Sequence, residues 1–183
     1  MRRRVNFRSR KRPYLTGSYI IYARISHEVI VQIGNPKSPQ GRKRYSSLPA
    51  GHYAYVGSAF QSGGLAARLG RHLGLKEAKR KRWDIDYLLA RSVEGRALQA
   101  WVSTSDERLE CTWATALFAA TGVSAPAPGF GAGDCKMRCG CRDDRPKKDK
   151  THLFRLPLRP TLAWLRDALG PAALTLRCWA PRR

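Results

Sequence analysis

The segment His52 to His72 reads HYAYVGSAFQSGGLAARLGRH: an alternating aromatic strand, a Gly/Ser turn and an amphipathic helix in one run. In a strand of period 2, Tyr53, Tyr55 and Gly57 share one face, and His52, Ala54, Val56 and Ser58 share the other. Gln61-Ser62-Gly63-Gly64 breaks this alternation with residues tolerant of positive φ. Leu65, Leu69 and Leu73 then recur every four residues, the buried stripe of a helix. Arg68, Arg71 and His72 stand at i, i+3 and i+4 and form one patch on it. A phenol at a strand end and a cationic patch on the following helix can face one shallow site, a layout suited to anchoring a phosphate and moving a proton.

Upstream, Gly17 to Ile25 (GSYIIYARI) reads as a strand with Ile20 and Tyr22 on one face and Tyr19, Ile21 and Ala23 on the other. Val29 to Ile33 is a second, β-branched strand. Asn35 to Arg44 is a Pro/Gly/Lys loop, and Leu48-Pro49-Ala50-Gly51 turns into the aromatic strand. Residues 1–13 (MRRRVNFRSRKRP) carry seven basic residues and no acid, which predicts a flexible basic arm before a single domain over 14–183. The arm serves either phosphate contact or solubility.

Downstream, residues 76–82 (KEAKRKR) form a basic run in which Lys79, Arg80, Lys81 and Arg82 are candidates for phosphate contact, together with Arg71. Residues 83–89 (WDIDYLL) open a short helix whose Asp84 or Asp86 caps it or pairs with a nearby Arg. Residues 96–102 (RALQAWV) read as a strand. A helix is predicted from Ser105, with Asp106 and Glu107 in its first turn, Leu109, Trp113, Ala116, Leu117 and Ala120 inward, and Gly122 as its end. Glu110 lies beside that stripe, either paired with Arg or waiting for a cation. A Pro/Gly loop then leads into a Cys-rich, charged insertion over 135–150. A strand over 151–156, a helix over 161–169 and a short strand over 174–179 complete the chain. The sum is an α+β (α/β) fold: a small, mainly antiparallel sheet flanked by helices.

The 183 residues suffice for one ordinary domain with a real core. Lys+Arg number 35 against 13 Asp+Glu, a formal net charge of +22. So one-sided a balance points to a polyanion, most commonly nucleic acid, and Arg suits bidentate phosphate contact. No apolar run approaches the ~20 residues that span a bilayer, and no apolar segment follows the basic N-terminus, so neither a membrane span nor a secretory signal is expected. Five Cys, an odd number with three clustered, fit a reducing compartment rather than a disulfide framework. A cytoplasmic protein, nucleoid-associated when bound to DNA, is expected.

Several of these segments coincide with one family pattern. Gly17-Ser18-Tyr19 and Tyr55-Val56-Gly57 resemble the two halves of the GIY-YIG nuclease signature, and Arg68-Leu69-Gly70-Arg71-His72 resembles that superfamily's R-x-x-R-H helix. AGHYAYVGSA, GLAARLGRH, WDIDYLL, ECTWA, GFGAGDC and THLF, in that order, resemble the Uri-type endonuclease branch over about residues 16–156. The resemblance implies a divalent-metal-dependent endonuclease that hydrolyses DNA phosphodiesters in repair or processing. It implies that Tyr19 relays a proton from water, Tyr55 holds that water or the phosphate, Arg68 stabilises developing charge and helps depress a phenol pKa, His72 transfers or positions a proton, and Glu110 binds one Mg²⁺ or Mn²⁺. The chain departs from the pattern in the 36-residue offset from Tyr19 to Tyr55, in Asp84 where related sequences carry His, in the absence of a late Asn (Asn6 and Asn35 are the only two), and in the Cys-rich insertion.

The implied chemistry is sound on general grounds. Attack on an anion needs its charge neutralised, which metal and Arg accomplish, and one carboxylate suffices for a cation that keeps its waters. Cys135, Cys139, Cys141 and His152 offer thiolate and imidazole donors for Zn²⁺, against a reading of inert loop cysteines and a His152 that binds backbone or DNA; through their motif context Asp134 and His152 are also candidates for the active site or its support. The partner is expected to be double-stranded or branched DNA, ahead of RNA, since nothing here reads a 2′-OH. The competing function is a non-catalytic nucleic-acid-binding module on a degenerate nuclease scaffold. Convergence of Tyr19, Tyr55, Arg68 and Glu110 on one concave site separates the two.

Overall fold

The structure, a computed structural model, describes residues 14–33, 44–74, 84–91, 99–132 and 150–180. The expected basic arm, Lys79, Arg80, Lys81, Arg82, Cys135, Cys139, Cys141 and almost all of the 135–150 insertion lie outside the described residues.

The fold is mixed α+β. Strands β1 (Ser18–Ile25), β4 (Gly51–Ser58), β5 (Gln99–Ser103), β6 (Leu153–Leu156) and β7 (Arg177–Cys178) form an antiparallel sheet in the order β6-β4-β1-β5-β7. Strands β2 (Val29–Ile33) and β3 (Arg44–Leu48) pair as a separate antiparallel ribbon. Helices α1 (Gly64–His72), α2 (Asp84–Arg91), α3 (Glu110–Ala119) and α4 (Leu162–Leu169) complete the set, with a 3₁₀ turn at Gly170–Ala173. No helix among the described residues is long and apolar enough to cross a membrane.

The alternation read from sequence sorts the sheet's side chains into two cores. Tyr19, Ile21, Tyr53, Tyr55, Ala100 and Val102 face one side, where they pack with Leu65 and Leu69 of α1, Ile85 and Leu88 of α2, and Val29, Val31 and Leu48 of the ribbon. Ile20, Tyr22, Ala54, Val56 and Trp101 face the other, against Trp113 and Leu117 of α3 and Leu165 and Leu169 of α4. Both faces of β1 and β4 are thus dry, which explains why their polar content is confined to hydroxyls, imidazoles and strand ends.

Several expectations are corrected. Residues 44–48 form a strand, not a loop end and turn: Ser46 and Ser47 are poor strand formers, and pairing with β-branched β2 supplies what propensity lacks. Helix α3 starts at Glu110, not Ser105. The Ser105 hydroxyl accepts from Glu107 N–H at 3.1 Å and so closes a local turn instead of capping a helix. The Leu109 N–H donates to Ser18 Oγ at 3.0 Å, so β1 itself fixes where the helix begins. The same helix ends at Ala119, before Gly122. Of the strand expected over 96–102, Gln99 onward forms β5 and 96–98 lie outside the described residues; the final strand shrinks to two residues after the 3₁₀ turn. Helix α4 follows the expectation closely: the Thr161 hydroxyl accepts from Trp164 N–H at 3.1 Å as its N-cap.

The close approach of β1 and β4 depends on one glycine. Tyr19 sits opposite Gly57, and a Cβ there would lie 2.4 Å from the phenol's Cζ and oxygen. Gly57→Ala is expected to cost about 1–3 kcal/mol or more, the range for overpacking a filled core. A urea unfolding midpoint measures it; an unchanged midpoint would contradict the ring's placement.

A candidate active site built on two side-chain relays

Antiparallel pairing of β1 with β4 sets Ser18 opposite Ser58 and Tyr19 opposite Gly57. The start of β1 and the end of β4 therefore meet, and α1, α2 and α3 bring side chains to that end. Tyr19 is buried there, with its ring 6.4 Å from that of Tyr55 and 6.0 Å from that of His72, centroid to centroid.

The first relay runs Tyr19, His72, Asp86. His72 Nδ1 lies 3.0 Å from Asp86 Oδ1, and its Nε2 lies 3.3 Å from the Tyr19 oxygen. An aspartate acceptor at Nδ1 selects the tautomer with the proton on Nδ1, which leaves Nε2 to accept from the phenol. Asp86 is in turn braced by Arg71, whose Nε and Nη2 donate to Asp86 Oδ2 at 3.2 and 2.8 Å. Arg71, expected at a phosphate, thus commits two donors to this carboxylate. Burial pushes the His72 pKa down, and Asp86 only partly restores it. The ring is accordingly a neutral acceptor at neutral pH.

Arg68 hydrogen-bonds the Tyr19 phenol and favours its ionised form, as the sequence suggested. The net effect is the opposite of that expectation. Burial dominates and raises the Tyr19 pKa well above 10, with Glu110 and Asp86 adding to the rise. Tyr55 is raised likewise by burial, and then by Tyr19 and Glu110. Both phenols keep their protons at neutral pH.

The second relay runs Ser58, Glu110, His152. The Ser58 hydroxyl donates to Glu110 Oε2 at 2.5 Å, and His152 Nδ1 lies 2.9 Å from Glu110 Oε1. Burial opposes ionisation of Glu110, but His152, Ser58 and Arg108 together outweigh it and hold the carboxyl below its usual range. Glu110 is therefore a carboxylate, the donor a hard divalent cation takes. Arg108 also lies over the Phe60 ring, 4.8 Å from its centroid.

The two relays are joined by the loop before the insertion. A Cβ on Gly131 (φ +70°) would lie 2.8 Å from a Tyr55 ring carbon and 3.1 Å from His152 Cβ, so Tyr55 and His152 flank one bare glycine. Asp84 Oδ2 accepts from Gly131 N–H at 2.8 Å and pins this turn to α2. The position where a His was expected thus carries a loop anchor. His152 itself is held by its backbone: its N–H donates to Phe130 O at 2.8 Å, and its carbonyl accepts from Val56 N–H at 2.9 Å.

Tyr19, Tyr55, Arg68 and Glu110 stand close enough to perturb one another electrostatically, and His72 adjoins Tyr19. His152, grouped with the cysteines as a zinc donor in the sequence reading, stands against Glu110. Asp86 as the orienting group for His72, and Ser58 and Asp84 as anchors, were not singled out for these roles. A carboxylate at 86, between Ile85 and the inward Leu88, was the one available signal that an acid would be buried and need a partner.

The model of one family, described as a domain of unknown function, DUF123, matches residues 18–169, from the first residue of β1 to the last of α4. Comparison with curated proteins and with solved structures gives no match. The matched span includes every side chain of both relays, and the chain belongs to the DUF123 family.

Proposed function

We propose that this protein is a divalent-metal-dependent endonuclease of the GIY-YIG type, related to its Uri-like branch, which hydrolyses phosphodiesters of double-stranded or branched DNA during repair or processing. The observation that carries the reading is the Tyr19–His72–Asp86 relay standing beside an ionised Glu110, at one end of one sheet.

The residues divide the work as follows. The Tyr19 oxygen takes a proton from an attacking water while its own proton passes to His72 Nε2, so the high phenol pKa is no obstacle: no free phenolate has to form first. Asp86 stabilises the imidazolium that results. Arg68, at the phenol, offsets negative charge that develops on it and on the phosphoryl group. Tyr55 supplies a second neutral phenol that can donate to the phosphate. Glu110, with its oxygen donors and the neighbouring imidazole, fits a divalent ion. When bound, Mg²⁺ or Mn²⁺ supplies charge neutralisation for the phosphodiester and its leaving oxygen. The net charge of +22 supplies attraction for the polyanion, with a steep salt dependence.

The competing reading is a binding module without catalysis, in which the two buried, protonated phenols serve packing and phosphate contact instead of proton transfer. Purified protein incubated with end-labelled duplex, branched and single-stranded DNA, in Mg²⁺, Mn²⁺ or EDTA, separates the two. Metal-dependent products support the nuclease; tight binding with intact DNA in every condition supports the module.

A further inference from the structure

The least satisfied polar group at the site is His152. Its side chain is 3 % exposed, yet Nδ1 has no well-angled hydrogen-bond partner. The 2.9 Å approach to Glu110 Oε1 is an ion-pair distance without good hydrogen-bond alignment. A buried polar nitrogen left this way is costly. Backbone bonds to Phe130 O and from Val56 N–H hold the residue on both sides, and the Thr151 hydroxyl, bonded to Ala127 O at 3.0 Å, anchors the residue before it. The ring is therefore placed by the fold rather than drawn in by the carboxylate.

Two ligands bound side by side on one ion, at metal–ligand distances of about 2.0–2.2 Å, stand about 3 Å apart. Glu110 Oε1 and His152 Nδ1 already have that spacing. Ser58, donating to Oε2, leaves Oε1 as the oxygen turned toward the nitrogen.

We propose that Glu110 Oε1 and His152 Nδ1 are adjacent ligands of a single divalent cation, and that the imidazole donor makes Mn²⁺, Co²⁺ or Zn²⁺ the better occupant than Mg²⁺. The proposal rests on the reading of Glu110 as a cation ligand. Imidazole suits borderline metals, whereas Mg²⁺ prefers an all-oxygen shell. Among the described residues no group of three His, Cys, Asp or Glu side chains converges. The described residues thus supply two positions, which leaves others for water and phosphate oxygens, as a site that must admit substrate requires.

The test uses Mn²⁺ alone, added to the full-length protein without DNA. Loss of the free-ion paramagnetic resonance signal measures binding, and pulsed spectra of the bound ion report directly coordinated ¹⁴N. Wild type is expected to show ¹⁴N modulation that disappears in His152→Gln, with affinity at least about tenfold lower, while Co²⁺ or Zn²⁺ displaces Mn²⁺ more readily than Mg²⁺ does. If His152→Gln does not fold, ¹⁵N-histidine labelling of wild type assigns the nitrogen to histidine, and its loss in Glu110→Gln assigns it to this site. Bound Mn²⁺ that depends on Glu110 but shows no nitrogen overturns the proposal and leaves the nuclease reading intact, with His152 as a positioning residue. No Mn²⁺ binding by wild type overturns both.

Discussion

Glu110→Gln is expected to abolish DNA cleavage, lowering the single-turnover rate by about 10³-fold or more, while DNA affinity stays within about twofold. The substitution keeps size and the Ser58 contact but removes the charge. Loss of one preorganised electrostatic group at a reacting phosphate costs about 10²–10³ by itself, and here loss of a cation adds to it. Affinity should hold because binding draws on the whole +22 charge rather than on one site. The same variant also separates the two roles open to Glu110. A purely structural ion-pair partner of His152 would lower the unfolding midpoint and leave the rate per folded molecule unchanged. Cleavage that survives in a folded Glu110→Gln protein contradicts the assignment.

Tyr19→Phe is the second large effect. The phenyl ring preserves the packing against Tyr55 and over Gly57, and only the oxygen shared by His72 and Arg68 is lost. A fall of about 10²–10⁴-fold in the single-turnover rate is expected, the usual worth of a positioned proton-transfer group. The pH profile gives an independent check. His72 must be neutral to accept the phenol's proton, so the rate rises with pH through the His72 pKa and is fully developed above it. Burial lowers that pKa from the ordinary imidazole value, and the acid limb should lie correspondingly below it. Asp86 acts in the opposite direction on His72, so Asp86→Asn should move the limb further to acid as well as slow the reaction. A limb unmoved by Asp86→Asn would remove His72 from the proton path.

The parts legible in the sequence were those set by local period. Tyr19, Ile21, Tyr53 and Tyr55 on one face, against Ile20, Tyr22, Ala54 and Val56 on the other, follow from alternation alone, and the structure sorts them that way. So does the α1 stripe of Leu65 and Leu69. Features set by partners distant in sequence were not legible. Ser105-Asp106-Glu107 has the composition of a helix start, but the hydroxyl of Ser18 in another strand takes the N–H of Leu109 and moves the start. β3 is a strand because β2 lies beside it. The orienting role of Asp86 needs α2 packed against α1, and the pairing of His152 with Glu110 needs the loop carrying Gly131 folded over Tyr55. Arg68 favours the phenolate through a local contact, whereas the larger effect of burial appears only once both cores close around the ring.

The central claim is that water hydrolyses a DNA phosphodiester at this site with a divalent cation. The most direct measurement is cleavage of a branched duplex in ¹⁸O-labelled water, with Mn²⁺ or with EDTA, followed by mass spectrometry of the new termini. One ¹⁸O atom in each newly formed terminal phosphate with Mn²⁺, and intact DNA with EDTA, is the predicted result. Intact DNA under both conditions despite saturating binding, or equal cutting in EDTA, would contradict it.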